Sequence, residues 1–203
     1  MATPLDISAK LRRLADHLVT DDLTDEGWAD LDRHLTDALA ALPGAGDGPT
    51  RFARGFASNP NPDEAHHPTH SLGQGASGIF PPMRVEFSDD GRQLVAHTSF
   101  GPAWEGPPGL VHGGFLAAGF DMVISALAAS ALDHSVTRSL RLRYLKPTGL
   151  GAALRYEVAI AGDRDGRLLD LRGALYADDR VTMRATAQFA VVDVARFGRP
   201  PRP

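Results

Sequence analysis

The chain has 203 residues, 43% of them hydrophobic, which is enough for one well-buried domain with an additional segment. Its net charge of −4 at pH 7 argues against a nucleic-acid-binding protein. Because the sequence contains no cysteine, a thiol nucleophile, a disulfide framework and thiolate metal sites are all excluded.

The N-terminal part is predicted to form amphipathic helices. Charges are scattered among the leucines of residues 1–20, so we expect no signal peptide there and a cytoplasmic location. Two leucine stripes have helical spacing: Leu11, Leu14 and Leu18, then Leu31, Leu35 and Leu39. Thr24 is the expected N-cap of the second helix, which Pro43 should end. Residues 1–45 are therefore predicted to be a helical extension that packs on the domain, stabilises a dimer or covers a substrate as a lid.

Residues 46–82 are rich in glycine and proline and lack a sustained periodicity, so we predict a long loop or linker. The loop contains a group of histidine and acidic residues: Asp63, Glu64, His66, His67 and His70. This group could hold a metal ion, but no pair has ligand spacing on a predictable element, and a solvated loop is the favoured interpretation. The glycine pattern at 73–78 resembles a dinucleotide-binding motif but neither follows a strand nor begins a helix, so we expect no cofactor.

The remainder of the chain is predicted to fold as two strands, one long helix and four further strands. The predicted strands are Met83–Phe87, Leu94–Phe100, Val136–Tyr144, Leu154–Ile160, Leu168–Tyr176 and Val181–Val191. We expect the last four strands to be joined by hairpins in an antiparallel sheet that covers the helix, which is an α+β fold. Residues 83–192 then form the main domain, and residues 193–203 a disordered tail.

The predicted helix Gly113–Leu132 is apolar on every side, as in a core helix, but has Asp121 in its middle. The aspartate and two glycines at the helix start argue against a membrane span. A buried, unpaired carboxylate is costly, so Asp121 either bonds to a residue such as Thr137 or Ser125 or performs chemistry. Small residues on the same helix face leave room for a ligand: Gly114, Ala117, Ala118 and Ala128.

Gly113 and Gly114 place backbone N–H groups at the helix start, where they can hold an oxyanion or form a tight packing point. Asp121 lies about 12 Å further along the helix, at roughly 1.5 Å per residue. A carboxylate that attacks a carbonyl or activates water must lie within about 3 Å of the reacting atoms. If both groups act on one carbonyl, they must come from different subunits, so we predict a dimer.

Two segments resemble the phenylacetate-type (PaaI-like) HGG branch of the hotdog-fold acyl-CoA thioesterases. They are residues 105–121, EGPPGLVHGGFLAAGFD, and residues 137–147, TRSLRLRYLKP. The resemblance covers about residues 83–192 and implies the hotdog fold, an antiparallel sheet around one central helix. It also implies homodimers or dimers of dimers that hydrolyse acyl-CoA or related thioesters at the dimer interface.

The resemblance further implies roles for five residues. Asp121 corresponds to the catalytic carboxylate, acting as nucleophile or general base. Gly114, or the pair Gly113 and Gly114, corresponds to the N–H that polarises the thioester carbonyl. His112 corresponds to a histidine that orients or assists. Thr137 corresponds to a hydroxyl that positions the water or the carboxylate.

One departure from the family pattern affects the expected activity. Several members carry an asparagine about six residues before the histidine, and Gly106 stands there in this chain. The role of that amide is therefore absent or supplied elsewhere. The basic residues nearest the site could bind the phosphates of CoA: Arg138, Arg141, Arg143 and Lys146. Strand alternation places Arg141 and Arg143 opposite Leu142, so a solvated outer face is the favoured alternative for them.

Three functions follow as candidates, with no metal, cofactor, membrane or nucleic acid expected. Hydrolysis of an acyl thioester is favoured. A non-catalytic acyl-CoA-binding protein is the alternative, supported by Gly106 and the long extension. A hotdog dehydratase or hydratase is disfavoured, because it needs a histidine–acid pair and the central helix contains no histidine.

Overall fold

The structure, a computed structural model, describes residues 3–42, 80–132 and 134–192. The possible metal-binding group at 63–70, the glycine pattern at 73–78 and the predicted C-terminal tail lie outside these residues, as does Pro43.

The described residues contain three α-helices and six β-strands, close to the predicted positions. The helices are α1 (Pro4–Thr20), α2 (Asp25–Ala40) and α3 (Gly113–Ala131). The strands are β1 (Arg84–Phe87), β2 (Gln93–Thr98), β3 (Ser135–Tyr144), β4 (Leu154–Arg164), β5 (Leu168–Ala177) and β6 (Arg180–Val191). A 3-10 turn, Pro102–Trp104, lies between β2 and α3.

The N-terminal extension contacts the domain through α1. The Asp16 carboxylate accepts a hydrogen bond of 3.0 Å from the Ala103 N–H of the 3-10 turn. Helix α2 begins at the predicted N-cap, where the Thr24 hydroxyl accepts from the Gly27 N–H, but none of its residues is buried. Of these two helices, α1 therefore packs on the domain. That α2 forms a lid or a dimer contact stays a prediction.

The strands form one antiparallel sheet in the order β1-β2-β4-β5-β6-β3. The predicted hairpin between β3 and β4 is wrong, because β3 pairs with β6 at the edge of the sheet. The connecting segment 145–153 reaches up to about 30 Å when extended. That is enough to cross the three strand spacings, about 14 Å, between β3 and β4. The predicted hairpins between β4 and β5 and between β5 and β6 are confirmed, the first with Asp165 and Gly166 both at positive φ.

Helix α3 lies across one face of this sheet and supplies much of the core. Its buried residues are Leu116, Gly119, Phe120, Val123, Ile124, Ala126, Leu127 and Ala128. Tyr156 of β4 packs edge-on against Phe120 with ring centroids 5.0 Å apart, and its hydroxyl donates to the Leu116 carbonyl at 3.3 Å. Burial raises the pKa of Tyr156 far above its ordinary value, so this phenol stays protonated. The helix at the centre of an antiparallel sheet is the predicted hotdog arrangement.

One stripe of α3 is left uncovered by the sheet. Gly114 and Ala118 are exposed, and Asp121 and Ser125 are half-buried. Among the described helices, α3 has the length and composition of a membrane span, and 44% of its most apolar window is buried. The expectation of a helix buried on every side is therefore wrong for a single chain, because the sheet covers only one side.

Gly119 of α3 faces Tyr156 of β4, and replacing this glycine tests how closely the helix packs there. A Cβ at this position would overlap the Tyr156 hydroxyl and lie 2.7 Å from Tyr156 Cζ, which is fully buried. We expect Gly119→Ala to lower the free energy of unfolding by about 1–3 kcal/mol. Helix propensity alone predicts that Gly119→Ala raises the free energy of unfolding by about 1 kcal/mol. The sign of the measured change therefore shows whether the overlap with Tyr156 or the helix propensity dominates. Denaturant unfolding measures it, with Gly162→Ala as control because a Cβ there makes ordinary contacts.

Candidate active site

The start of α3 is held by His112, which is the N-cap residue of the helix. The His112 backbone N–H donates to the Trp104 carbonyl of the 3-10 turn at 2.8 Å. Its side-chain Nδ1 accepts from the Gly114 N–H at 3.0 Å. An Nδ1 that accepts a hydrogen bond carries no proton, so a neutral His112 has its proton on Nε2. The imidazole is exposed, and its Nε2–H is thus a second donor at the helix start.

The two predicted oxyanion donors differ in their partners. The Gly114 N–H is occupied by His112 Nδ1, whereas no acceptor for the Gly113 N–H is found in the described part of the chain. A carbonyl oxygen bound at Gly114 must therefore share this N–H with the imidazole or displace it. Among the described residues, the helix start combines a backbone N–H without an acceptor, at Gly113, with the positive end of the helix dipole and access from solvent, which suits a developing oxyanion.

Asp121 is oriented by β3. The Thr137 hydroxyl donates to Asp121 Oδ1 at 3.0 Å, the bond that the sequence suggested. Asp121 Oδ2 is available for a proton or a substrate atom, since the carboxylate is only half-buried. The prediction of a fully buried carboxylate is wrong for a single chain, and for the same reason as for α3 as a whole.

A β-bulge brings Thr137 to the helix side of the sheet. The register between β3 and β6 shifts between Thr137 and Ser139, so Arg138 has no opposite residue. Thr137 opposes the buried Phe189 and Leu140 opposes the buried Ala187, which puts both on the face that α3 covers. Without the extra residue, the period of two would turn Thr137 to the outer face. The bulge therefore gives Asp121 its partner.

Tyr144 is a residue of the site that sequence reasoning did not assign. Its hydroxyl donates to the Gly113 carbonyl at 2.8 Å, and a Cβ on Gly113 would lie 3.1 Å from Tyr144 Cε1. The alternation of Leu140, Leu142 and Tyr144 indicated that this side chain faces the helix. The pattern could not indicate which helix residue it meets.

The predicted residues thus form two separate groups in one chain. His112, Gly113 and Gly114 lie at the helix start, while Asp121 and Thr137 lie about 12 Å further along the helix axis. No single thioester carbonyl can reach both groups of the same chain.

Gly106 leaves no room for an asparagine side chain, the residue that the resemblance implied at this position. A Cβ at this position would lie 2.8 Å from the His112 Cα and 3.1 Å from the His112 Cβ. The turn is fixed by bonds of 2.9 Å from the Gly106 N–H to the Leu110 carbonyl and from the Leu110 N–H to the Pro107 carbonyl. An asparagine at position 106 would therefore require a different conformation of this loop, and not only a different side chain.

The basic residues considered for CoA are all exposed. Arg141 opposes Thr186 and Arg143 opposes Arg184, on the sheet face away from α3. This placement favours a solvated outer face for these two arginines, as alternation suggested. Arg138 occupies the bulge and Lys146 follows β3, and a role in CoA binding stays a prediction for both.

Comparison with known proteins agrees with this description. Residues 108–161, which contain α3 and β3, match the family model of the thioesterase superfamily. No curated protein matches the chain in sequence. Among solved structures, a thioesterase superfamily protein with 22% identity covers 93% of this chain and 95% of its own, with a TM-score of 0.73.

Two shorter structures match the domain. A phenylacetic acid degradation-related protein from Ralstonia eutropha JMP134 has 24% identity, covers 70% of this chain and 100% of its own, and has a TM-score of 0.51. A hypothetical thioesterase protein with coenzyme A from Streptococcus pneumoniae TIGR4 has 19% identity, covers 54% and 85%, and has a TM-score of 0.50. These likenesses establish the hotdog fold of the chain.

Proposed function

We propose that this protein hydrolyses acyl-CoA or a related thioester at sites formed between two copies of the chain. The observation that carries the proposal is that a Thr137-oriented Asp121 lies on the same uncovered stripe of α3 as Gly114. A carboxylate and a set of N–H donors are the two groups that thioester hydrolysis needs. The family match at residues 108–161 and the coenzyme A in a structurally similar protein support the substrate class.

A single twofold axis would complete both sites. Ala117 and Ala118 lie midway between Gly114 and Asp121, so an axis beside them sets Gly114 of one copy opposite Asp121 of the other. Such an arrangement needs close approach of two helices, which the small, partly exposed alanines permit.

The same axis suits β3. Thr137 contacts Asp121 and Tyr144 contacts Gly113, so the midpoint of this stretch lies at Leu140 and Arg141. Among the described strands, β3 pairs only with β6, which leaves its second edge available. Antiparallel pairing of β3 with β3 of a second copy would satisfy this edge and join two sheets.

In the proposed reaction, the N–H groups at the helix start of one copy hold the thioester carbonyl oxygen. Asp121 of the other copy takes a proton from water, and the hydroxide adds to the carbonyl carbon. The tetrahedral oxyanion then collapses, the C–S bond breaks, and the thiol leaves with a proton. Alternatively, the carboxylate adds directly, and water hydrolyses the resulting anhydride. Both routes use the same geometry.

A binding protein without catalysis is the second candidate. Two observations favour it: Gly106 excludes an amide side chain from the loop, and His112 occupies the Gly114 N–H. Such a protein would bind acyl-CoA with the same helix start but turn it over at the background rate.

A panel of acyl-CoA substrates separates the two candidates. Thiol release is followed for short, medium, long and aromatic acyl groups, and CoA binding is measured by calorimetry on the same preparation. Turnover of at least one class well above the uncatalysed rate supports hydrolysis. Binding with background rates across the whole panel would favour the second candidate and refute the first.

A further inference from the structure

Tyr144 makes a contact with the helix start that hydrolysis by Asp121 alone does not require. This tyrosine is the last residue of β3 and its side chain is largely exposed, at 54%. Even so, its hydroxyl donates to the Gly113 carbonyl at 2.8 Å, and its ring lies where a side chain on Gly113 would meet it, 3.1 Å from the Cβ position. An exposed side chain held in this way contributes little to the core, so packing does not explain the contact.

The bonded carbonyl belongs to the peptide group that also contains the Gly114 N–H. Because the peptide group is planar and conjugated, a donor on the carbonyl oxygen fixes the direction of that N–H. It also draws electron density toward the oxygen and makes the N–H a stronger donor, an effect of about 10–30% per hydrogen bond. Tyr144 therefore acts on the same group that His112 contacts from the other side.

Glycine gives this peptide group unusual freedom, which makes an external restraint useful. Gly113 and Gly114 have no side chains to limit their backbone angles. Gly113 is also the first residue of α3, where the helix itself restrains the backbone least. The Tyr144 bond connects this flexible position to the sheet.

We propose that Tyr144 is a positioning residue, which fixes and polarises the Gly114 N–H that a thioester carbonyl would share with His112 Nδ1. The proposal rests on the proposed function for its substrate. Tyr144 touches neither the carbonyl nor the water, and acts through the Gly113–Gly114 peptide group. Tyr144 and Thr137 then give β3 a role at both halves of the site.

The test replaces Tyr144 with phenylalanine, which keeps the ring on Gly113 and removes only the hydroxyl. We expect kcat for the best substrate to fall about two- to eightfold. On a logarithmic scale this is about 10–30% of the fall in kcat that follows the loss of a whole oxyanion donor. The KM should change less than about twofold, since ground-state binding is retained. Tyr176→Phe is the matched control, because that ring lies under Arg155 on the outer face and should leave kcat unchanged.

A second measurement does not depend on hydrolysis. The amide proton resonance of Gly114 should move upfield in Tyr144→Phe and stay in place in Tyr176→Phe, as observed by NMR on deuterated dimer. If the Gly114 resonance shifts in Tyr144→Phe but the native protein hydrolyses no substrate, the positioning role is supported and only the proposed function is refuted. An unchanged resonance, or a fall in kcat that follows dimer dissociation in sedimentation, would overturn the positioning role.

Discussion

Asp121→Asn is expected to reduce kcat for acyl-CoA hydrolysis by about 10²- to 10⁴-fold. The amide has the shape of the carboxylate, and its oxygen can still accept the Thr137 hydroxyl that now bonds Asp121 at 3.0 Å. It can neither take a proton from water nor attack the carbonyl as a carboxylate does. The fold and the dimer should therefore be retained while the chemistry is lost, as measured by kcat together with thermal unfolding and sedimentation.

The control for this change is Asp89→Asn in the turn between β1 and β2, which removes the same charge far along the chain from α3. That variant should keep the native kcat. Native rates in Asp121→Asn itself would show that another group activates water, and the assignment of the carboxylate would be withdrawn.

Gly114→Pro is expected to reduce kcat by about 10²- to 10³-fold, the usual effect of removing one oxyanion donor. Proline has no N–H, and it is tolerated in the first turn of a helix. The Gly114 N–H donates to His112 Nδ1 rather than to a helical carbonyl, so no helical hydrogen bond is lost. The proline Cδ takes the place of the amide hydrogen, so the His112 imidazole must turn away. Steady-state kinetics measure the fall, and circular dichroism checks that α3 is intact.

Gly114→Ala is the matched control because it keeps the N–H. Its Cβ would lie 3.0 Å from His112 Nδ1, so the imidazole must shift slightly, and we expect a loss of less than about tenfold. If kcat falls equally in Gly114→Ala and Gly114→Pro, the added atoms at this position cause the loss and the N–H does not contribute to catalysis.

The sequence predicted the elements of the domain well because their patterns arise from burial. The buried residues of β6 alternate from Met183 to Phe189, and α3 is too apolar for a surface helix. The order of the strands was not predictable from these patterns. Alternation specifies which face of β3 is buried, but not which strand lies beside it, and β3 crosses to β6 instead of pairing with β4.

The candidate site was predicted where one residue carries an unambiguous chemical signal. Asp121 stands out in an apolar helix, and the pair Gly113 and Gly114 stands out at its start. Thr137 was suggested as a partner, yet its position depends on the bulge at Arg138, which shifts the alternation by one residue and has no clear sequence signature. Tyr144 was missed because a strand pattern gives a face and not a contact.

The N-terminal extension shows the same limit. Helical spacing and the Thr24 cap predicted two helices, and both are present. The contact between Asp16 and Ala103 joins residues far apart in the chain, and nothing in the local pattern of either segment indicates it.

Mixed dimers test directly whether each site takes its glycine donors and its aspartate from different copies of the chain. Asp121→Asn and Gly114→Pro chains are co-expressed with different tags, and dimers that contain one of each are purified. Such a dimer has one site with both changes and one site with neither. We expect it to recover about half the native activity, although each variant alone is inactive. Mixed dimers as inactive as the parent variants would show that both groups act within one chain, and would contradict a site shared between two copies.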